Sequence, residues 1–228
     1  MQIPADMDDV IEVRAYERRD DVRVLVNLPG RYMLASRRNL KGDRCEFACR
    51  IVNVSLEGMA LAAPVPGPIG ERVIVYSEQL GRLHGPIMRL MTNGFVISIA
   101  ASEQTREKLA GKLDWLAKQK DAPDLRDSRR HARVVPKNPM ATLLLADGSM
   151  ISCLVMDFSD SGVAVSADLY PKLGTPLAAG KMVGRVVRRF AEGFAVEFLE
   201  KTSLAQVERR LARGSPSALR SSKLLAAR

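Results

Sequence analysis

The first hundred residues alternate apolar and polar positions over short segments, as β-strands do when one face of each strand is buried. Proline and glycine clusters separate these segments, among them the rigid loop at 64–68 and the Asn93-Gly94 pair, which is a strong hairpin signal. Six or so short strands without an intervening helix predict a closed or nearly closed antiparallel barrel. The predicted strands are 22–34, with a bulge at Pro29-Gly30, then 45–52, 59–63, 72–76, 83–91 and 95–100, with a polar hairpin tip at 37–43.

The pattern changes to a helical period after residue 101. Leu109, Leu113 and Leu116 recur at i, i+4 and i+7, which predicts a helix capped by Ser102 that closes the first barrel, with Trp115 in the core or between domains. Near the other end of the chain, Leu204, Val207 and Leu211 predict a short second helix, with Ser203 and Gln206 as a capping box.

The second half repeats the first. Strands are predicted at 134–145, 149–156 and 163–167, with an Asp147-Gly148 hairpin between the first two. The interval from Gly174 to Gly180 is shorter than the interval from Gly70 to Gly81, so a truncated middle strand is expected. Five identities in one register argue for duplication of a whole domain: Gly81, Gly85, Arg89, Gly94 and Phe95 recur as Gly180, Gly184, Arg188, Gly193 and Phe194.

Composition limits the class of protein and partner. The 35 basic and 26 acidic residues give a net charge of +9, which suits an anionic partner without distinguishing nucleotide, nucleic acid or membrane surface. Three cysteines and two histidines predict reduced thiols and no metal site. No apolar run is long enough to span a membrane and the acidic start does not resemble a signal peptide, so a cytoplasmic protein is expected.

A short motif occurs once in each half. Two arginines four residues apart are followed by an Asn or Asp, a Ser and a Gly at the end of the predicted hairpin. Paired guanidiniums can close on one anion as bidentate donors, and the Gly is expected to supply a turn with positive φ. The first copy has Arg19, Arg23, Asn53, Ser55 and Gly58, and the second has Arg129, Arg133, Asp157, Ser159 and Gly162.

An RxxxR motif joined to a (D/N)xSxxG motif is similar to the pattern of PilZ domains, and both copies resemble that family. The resemblance implies a mainly β protein with two small antiparallel PilZ-like barrels in tandem, each followed by a C-terminal helix. The predicted divisions are a lead-in at 1–15, a first domain at 16–120, a linker at 121–126, a second domain at 127–213 and a basic, disordered tail at 214–228.

The resemblance also implies a ligand, cyclic di-GMP, and a role for each motif residue. The paired arginines would contact phosphates and guanine faces, Asn53 and Asp157 would bond a guanine edge or hold an arginine, and the serines would fix the turn or reach a phosphate. In this family an Arg before the RxxxR favours an intercalated ligand dimer. The first copy has Arg18 there and the second has Ser128, with Arg130 close enough to substitute.

The predicted function is therefore that of a non-enzymatic sensor without a cofactor, which binds cyclic di-GMP and signals by conformational change to a protein partner. For this family the partner would belong to motility, envelope or exopolysaccharide machinery. No catalytic motif appears in the sequence. One alternative is a degenerate PilZ scaffold that binds protein only. A second is a nucleic-acid-binding barrel, which is disfavoured because few aromatic residues are free to stack on bases.

Overall fold

The computed structural model describes residues 23–38, 42–118 and 134–212. They form two closed, six-stranded antiparallel barrels, each followed by a helix, which confirms the predicted fold class. The elements of the first barrel are β1 (Val24–Arg38), β2 (Arg44–Val54), β3 (Gly58–Ala62), β4 (Arg72–Ser77), β5 (Gly81–Met91), β6 (Gly94–Ser98) and α1 (Glu103–Lys118). Those of the second are β7 (Met140–Leu145), β8 (Met150–Phe158), β9 (Gly162–Ser166), β10 (Pro176–Ala179), β11 (Met182–Phe190), β12 (Gly193–Phe198) and α2 (Leu204–Leu211).

Both barrels have the same strand order. The first closes as β1-β2-β3-β6-β5-β4, and the second repeats this order as β7-β8-β9-β12-β11-β10. Gly94 and Gly193, which correspond in the predicted duplication, are required for the same steric reason. At either position an added Cβ would collide with a backbone carbonyl on the neighbouring strand, that of Leu61 in the first barrel and Val165 in the second. Strand β10 has 4 residues where β4 has 6, which confirms the truncated middle strand.

Two predictions about β1 are wrong. The strand continues through Arg38 rather than ending before a polar tip, and its register irregularities with β2 lie between Leu25 and Leu28 and between Met33 and Arg38, not at Pro29-Gly30. Pro29 is accommodated in register opposite Arg50. Because β4 pairs with β1 only from Arg31 onward, Pro29 lies at the edge of the ladder on one side, where its missing N–H costs little.

The first strand of the second barrel is shorter than predicted. Strand β7 begins at Met140, and Val134 forms only an isolated bridge to Phe158. Pro136 and Pro139 explain the interruption, since neither residue has an N–H to donate to a ladder. The Asp147-Gly148 hairpin is confirmed, and Gly148 has a φ of 82°.

The helices bury Leu109, Leu113, Val207 and Leu211, while Leu116 and Leu204 are partly buried against the barrels. Ser102 caps α1 through Thr105, whose backbone N–H donates to the serine Oγ over 3.4 Å. Trp115 is 52% exposed, so the expectation that it is buried is wrong. Ser203 makes no side-chain capping bond to α2, and the hydroxyl of Thr202 bonds Gln206 instead, which contradicts the predicted capping box.

The two barrels contact each other through β2 of the first and β8 to β9 of the second. The backbone N–H of Ala48 donates to Ser166 Oγ over 2.9 Å, and both residues are buried. At the rim, Arg37 and Asp168 form an ion pair of 3.3 Å. A small apolar cluster of Ala48, Met140, Leu154 and Met156 fills the contact.

Cys45, Cys49 and Cys153 are buried thiols on strands. Within the described ranges, no helix has the length and apolar character needed to cross a membrane.

Candidate functional site

The motif serines organise the two β-turns. In the first barrel, the N–H groups of Glu57 and Gly58 donate to Ser55 Oγ over 3.3 and 3.2 Å, and the N–H of Ser55 donates to the carbonyl of Gly58 over 2.8 Å. In the second barrel, Ser159 repeats the backbone bond to Gly162 over 2.8 Å. The N–H of Ser161 also donates to Ser159 Oγ over 3.3 Å, so both serine side chains accept N–H groups of their own turn.

The motif glycines do not have the conformation predicted from sequence. Neither Gly58 nor Gly162 has a positive φ, because each begins a strand, β3 or β9, rather than occupying a left-handed turn position. Their requirement is steric instead. An added Cβ would lie 2.9 Å from the carbonyl oxygen of Ile97 at Gly58, and 2.7 Å from that of Val196 at Gly162. The close approach between neighbouring strands, not backbone handedness, explains both glycines.

In each barrel, the residue that follows the second arginine of the RxxxR pair is paired with the last residue before the motif serine. In the first barrel, exposed Arg23 immediately precedes Val24, whose register partner is Val54, next to Ser55. In the second barrel, Val134 exchanges two backbone hydrogen bonds of 2.9 Å with Phe158, next to Ser159. Val134 immediately follows Arg133 in the sequence. Arg18, Arg19, Arg129, Arg130 and Arg133 themselves lie outside the described residues.

A cleft of about 250 Å³ lies beside the second turn and is lined by Asp157, Ser159 and Gly162. Two exposed residues of β11 also line it, Val187 and Arg188. Neither was selected as a site residue from the sequence, although the repeat containing Arg89 and Arg188 was a signal that could have found the second. The guanidinium of Arg188 lies over the ring of Phe190, 5.7 Å from its centroid.

A residue of the first barrel also lies at the second site. Arg50 is 7% exposed, and its Nη2 donates to the carbonyl of Met156 over 3.1 Å. Burial lowers the pKa of the Arg50 guanidinium, while the negative charge of Asp157 acts in the opposite direction. Sequence reasoning missed Arg50 because its partners lie more than a hundred residues further along the chain.

The position of Met156 in strand β8 explains why its carbonyl is available to Arg50. Met156 falls in a register irregularity between Val155 and Asp157, and Val52 falls in the equivalent irregularity of β2. The carbonyl of Met156 therefore lies outside the paired positions of the β8–β9 ladder, and Arg50 supplies a donor for it.

The described residues contain no group of three or more His, Cys, Asp or Glu side chains placed to hold a metal ion. Burial raises the pKa of the Cys49 thiol to about 12, so this cysteine is a protonated core residue at neutral pH.

No protein-family model matches this sequence, and no curated protein matches it. Solved structures that resemble the chain include the Borreliella burgdorferi PlzA protein in complex with c-di-GMP, at 12% identity over 83% of this chain and 91% of that one, with a TM-score of 0.29. Escherichia coli YcgR in complex with c-di-GMP is 11% identical over 88% and 85%, with a TM-score of 0.25. The Bacillus subtilis inhibitor of motility MotI/DgrA is 12% identical over 90% and 100%, with a TM-score of 0.26. At these identities and scores, the functional assignment has to rest on the residues of this chain.

Proposed function

We propose that this chain is a non-enzymatic receptor for cyclic di-GMP, with one site at the turn of each barrel, and that it signals to a protein partner by a change in conformation. The observation that supports this most is the placement of Val24 and Val134. Each follows the second arginine of an RxxxR pair and is bonded to the strand end at the motif turn. The same pairing in both barrels connects residues that are 30 positions apart in the first barrel and 24 in the second.

The chemistry of the paired residues suits a cyclic dinucleotide. Ionised guanidiniums bind phosphate oxygens as bidentate donors and also stack on purine faces. On β11, beside the second turn, exposed Val187 precedes exposed Arg188, and the corresponding residues on β5 of the first barrel are exposed Met88 and Arg89. An apolar surface next to a cation accommodates a base and its phosphate together.

The contact between the barrels supplies a route for the signal. Arg50 and Asp157 interact electrostatically across it, so a ligand that engages Asp157 changes the environment of a buried charge of the first barrel. Binding with different affinity to two arrangements of the barrels would shift the population between them.

The test is titration calorimetry of cyclic di-GMP with the full chain. Arg129→Ala and Arg133→Ala should each weaken binding at the second site about 10-fold or more, since a charge-assisted pair contributes about 1.5 to 3 kcal/mol. Arg106→Ala is the matched control, because Arg106 is an exposed arginine on α1. Unchanged affinity in both site variants would show that the arginine pair does not hold the phosphates.

Parallel titrations separate this function from the two alternatives. A receptor binds cyclic di-GMP more tightly than a mononucleotide of the same charge or an RNA oligomer. A scaffold that binds only protein gives no heat with any of the three ligands. A nucleic-acid-binding barrel prefers the RNA oligomer and loses affinity steeply as salt is added.

We further propose that the two sites hold different numbers of ligand molecules. Arg18 adds a third guanidinium beside the first pair, whereas the second copy has Ser128 at that position. Arg18→Ser and Ser128→Arg should then change the stoichiometry at their own sites in opposite directions. Equal stoichiometry that neither exchange alters would contradict this.

A further inference from the structure

A pocket of about 200 Å³ lies on the outer face of the first barrel, where β1, β4 and β5 pair side by side. This volume is many times the ~10 to 15 Å³ that one water molecule requires. Two register partners, Met33 and Ile74, give it apolar side chains, and both are partly buried. Its remaining lining residues are Ala35, Arg44, Arg72, Arg82 and His84.

The pocket gathers positive charge. Arg44, Arg72 and Arg82 are all exposed, and none of the lining residues is acidic. Of the nearby carboxylates, Glu46 pairs with Arg31 over 3.2 Å. Glu71 accepts the N–H of Ser36 through Oε1 over 2.7 Å, while its Oε2 is enclosed without a hydrogen-bond partner among the described residues, and Glu71 does not line the pocket. Three cations around one hollow repel each other, and a bound anion would convert this repulsion into attraction.

His84 is partly buried in the wall of the pocket, and its Nδ1 is enclosed by the protein without a hydrogen-bond partner among the described residues. Because this nitrogen has almost no accessible surface, a ligand in the pocket would not reach it, and recognition there rests on the arginines.

The second barrel shows that the fold does not require these residues. The β4–β5 pair Ile74 and His84 corresponds by strand register to the β10–β11 pair Ala178 and Val183, because each lies next to a pair that contains a glycine, Val73 with Gly85 or Leu177 with Gly184. The positions that correspond to Arg44, Arg72 and Arg82 hold Gly148, Pro176 and Lys181. The corresponding face of the second barrel therefore forms with two basic residues, Lys181 and Arg185, in place of the three arginines. The cluster of arginines on the first barrel is a feature of that barrel alone and calls for a function.

We propose that this pocket binds a small molecule that carries phosphate groups, with the phosphates on Arg44, Arg72 and Arg82 and the organic part against Met33 and Ile74. Guanidiniums are the side chains best suited to bidentate phosphate recognition, and the apolar side chains suit a ring or a sugar carbon face. The site is separate from the motif turns. Arg44 precedes Asn53 by nine residues on β2, about 30 Å along an extended strand.

The test is calorimetric titration of the full chain with ADP, pyrophosphate and adenosine as probes. The pocket variant is the double substitution Arg72→Gln with Arg82→Gln, both at exposed positions. The matched control is Lys181→Gln with Arg185→Gln, which removes the same charge from exposed positions of the second barrel, Lys181 in the turn before β11 and Arg185 on β11. Circular dichroism verifies that both proteins remain folded.

The pocket variant should weaken ADP and pyrophosphate binding about 10-fold or more, while the control should change either affinity by no more than about 2-fold. ADP should bind more tightly than pyrophosphate, and Ile74→Ser should reduce this advantage while leaving pyrophosphate affinity unchanged. Equal losses in the two double variants would overturn the proposal, because they would indicate a general effect of net charge. The absence of ADP binding to the unsubstituted chain would overturn it too.

Two further titrations identify other occupants. If an RNA oligomer or anionic phospholipid vesicles bind more tightly than ADP, and the pocket variant abolishes that binding, the face is a macromolecular or membrane surface and the proposal fails. Arg129→Ala with Arg133→Ala should leave ADP affinity at the pocket unchanged. The outcome is therefore independent of whether cyclic di-GMP binds at the motif turns.

Discussion

Substitution of Arg50 by Met tests whether the contact between the barrels depends on a buried charge. Methionine keeps a long unbranched side chain but lacks the guanidinium, which donates to the Met156 carbonyl over 3.1 Å. Arg50 as a whole residue is 7% exposed. Without Arg50, the Met156 carbonyl loses its charged hydrogen-bond donor, which lowers the free energy of unfolding by about 1 to 3 kcal/mol. Removal of a buried charge also removes its desolvation penalty, which offsets part of this cost. We expect the free energy of unfolding to fall by about 1 to 2 kcal/mol.

The assay is urea unfolding of the full chain followed by circular dichroism, with Arg106→Met as the control. Arg106 is exposed on α1, so its substitution should change the free energy of unfolding by no more than about 0.5 kcal/mol. A double-mutant cycle with Asp157→Asn then measures the coupling between Arg50 and Asp157, which should favour the pair by about 0.5 kcal/mol or more. If Arg50→Met matched the control, or if the coupling were zero, the buried charge would have no part in holding the barrels or the second site.

Two further substitutions and two experiments on Cys49 test the packing. Gly162→Val should reduce stability by about 1 kcal/mol or more and weaken second-site binding, because its Cβ would lie 2.7 Å from the carbonyl oxygen of Val196; thermal unfolding and calorimetry would measure both effects. Gly111→Ala should raise stability by about 0.5 to 1 kcal/mol, since Gly111 lies inside α1 with open space around its Cβ position; unchanged or lower thermal stability would contradict this. Cys49 should resist iodoacetamide at pH 8 in the folded chain and react after unfolding, because burial raises the pKa of its thiol to about 12. Since the folded state favours the neutral thiol, its contribution to stability is complete below pH 9.0 and is lost as the pH rises toward 12, which unfolding midpoints at increasing pH would detect.

The sequence predicted the barrels well because their signals are local. Alternation along a strand, Asn93-Gly94 and Asp147-Gly148 each specify structure within a few residues, and the repeated glycines fix the correspondence between the two copies. Positions that depend on distant neighbours were predicted less well. The positive φ expected at Gly58 and Gly162 was wrong because a carbonyl on another strand, not the turn itself, restricts each residue.

The residues at the contact between the barrels could not be predicted from either repeat alone. Arg50 and Met156 are 106 residues apart, and neither belongs to a recognisable motif. The same limit applies to the pocket of Arg44, Arg72 and Arg82. These residues come from three strands, and only the pairing of β1 with β2 and β4, and of β4 with β5, brings them to one face.

The duplication therefore produced two barrels of one fold whose surfaces are not interchangeable. Arg50 corresponds to Leu154 in the second copy, and Leu154 packs into the apolar cluster between the barrels instead of reaching toward the first turn. Among the described contacts, the Arg50 guanidinium of the first barrel reaches Met156 and Asp157 at the second turn, and no equivalent cation of the second barrel reaches the first turn. Because linkage is reciprocal, any ligand at the second turn that alters Asp157 must change the free energy of the contact, and any change in the contact must alter affinity at that turn. The first turn, at Asn53, has no corresponding cross-barrel partner among the described contacts, so the proposed signal between the barrels should originate at the second site.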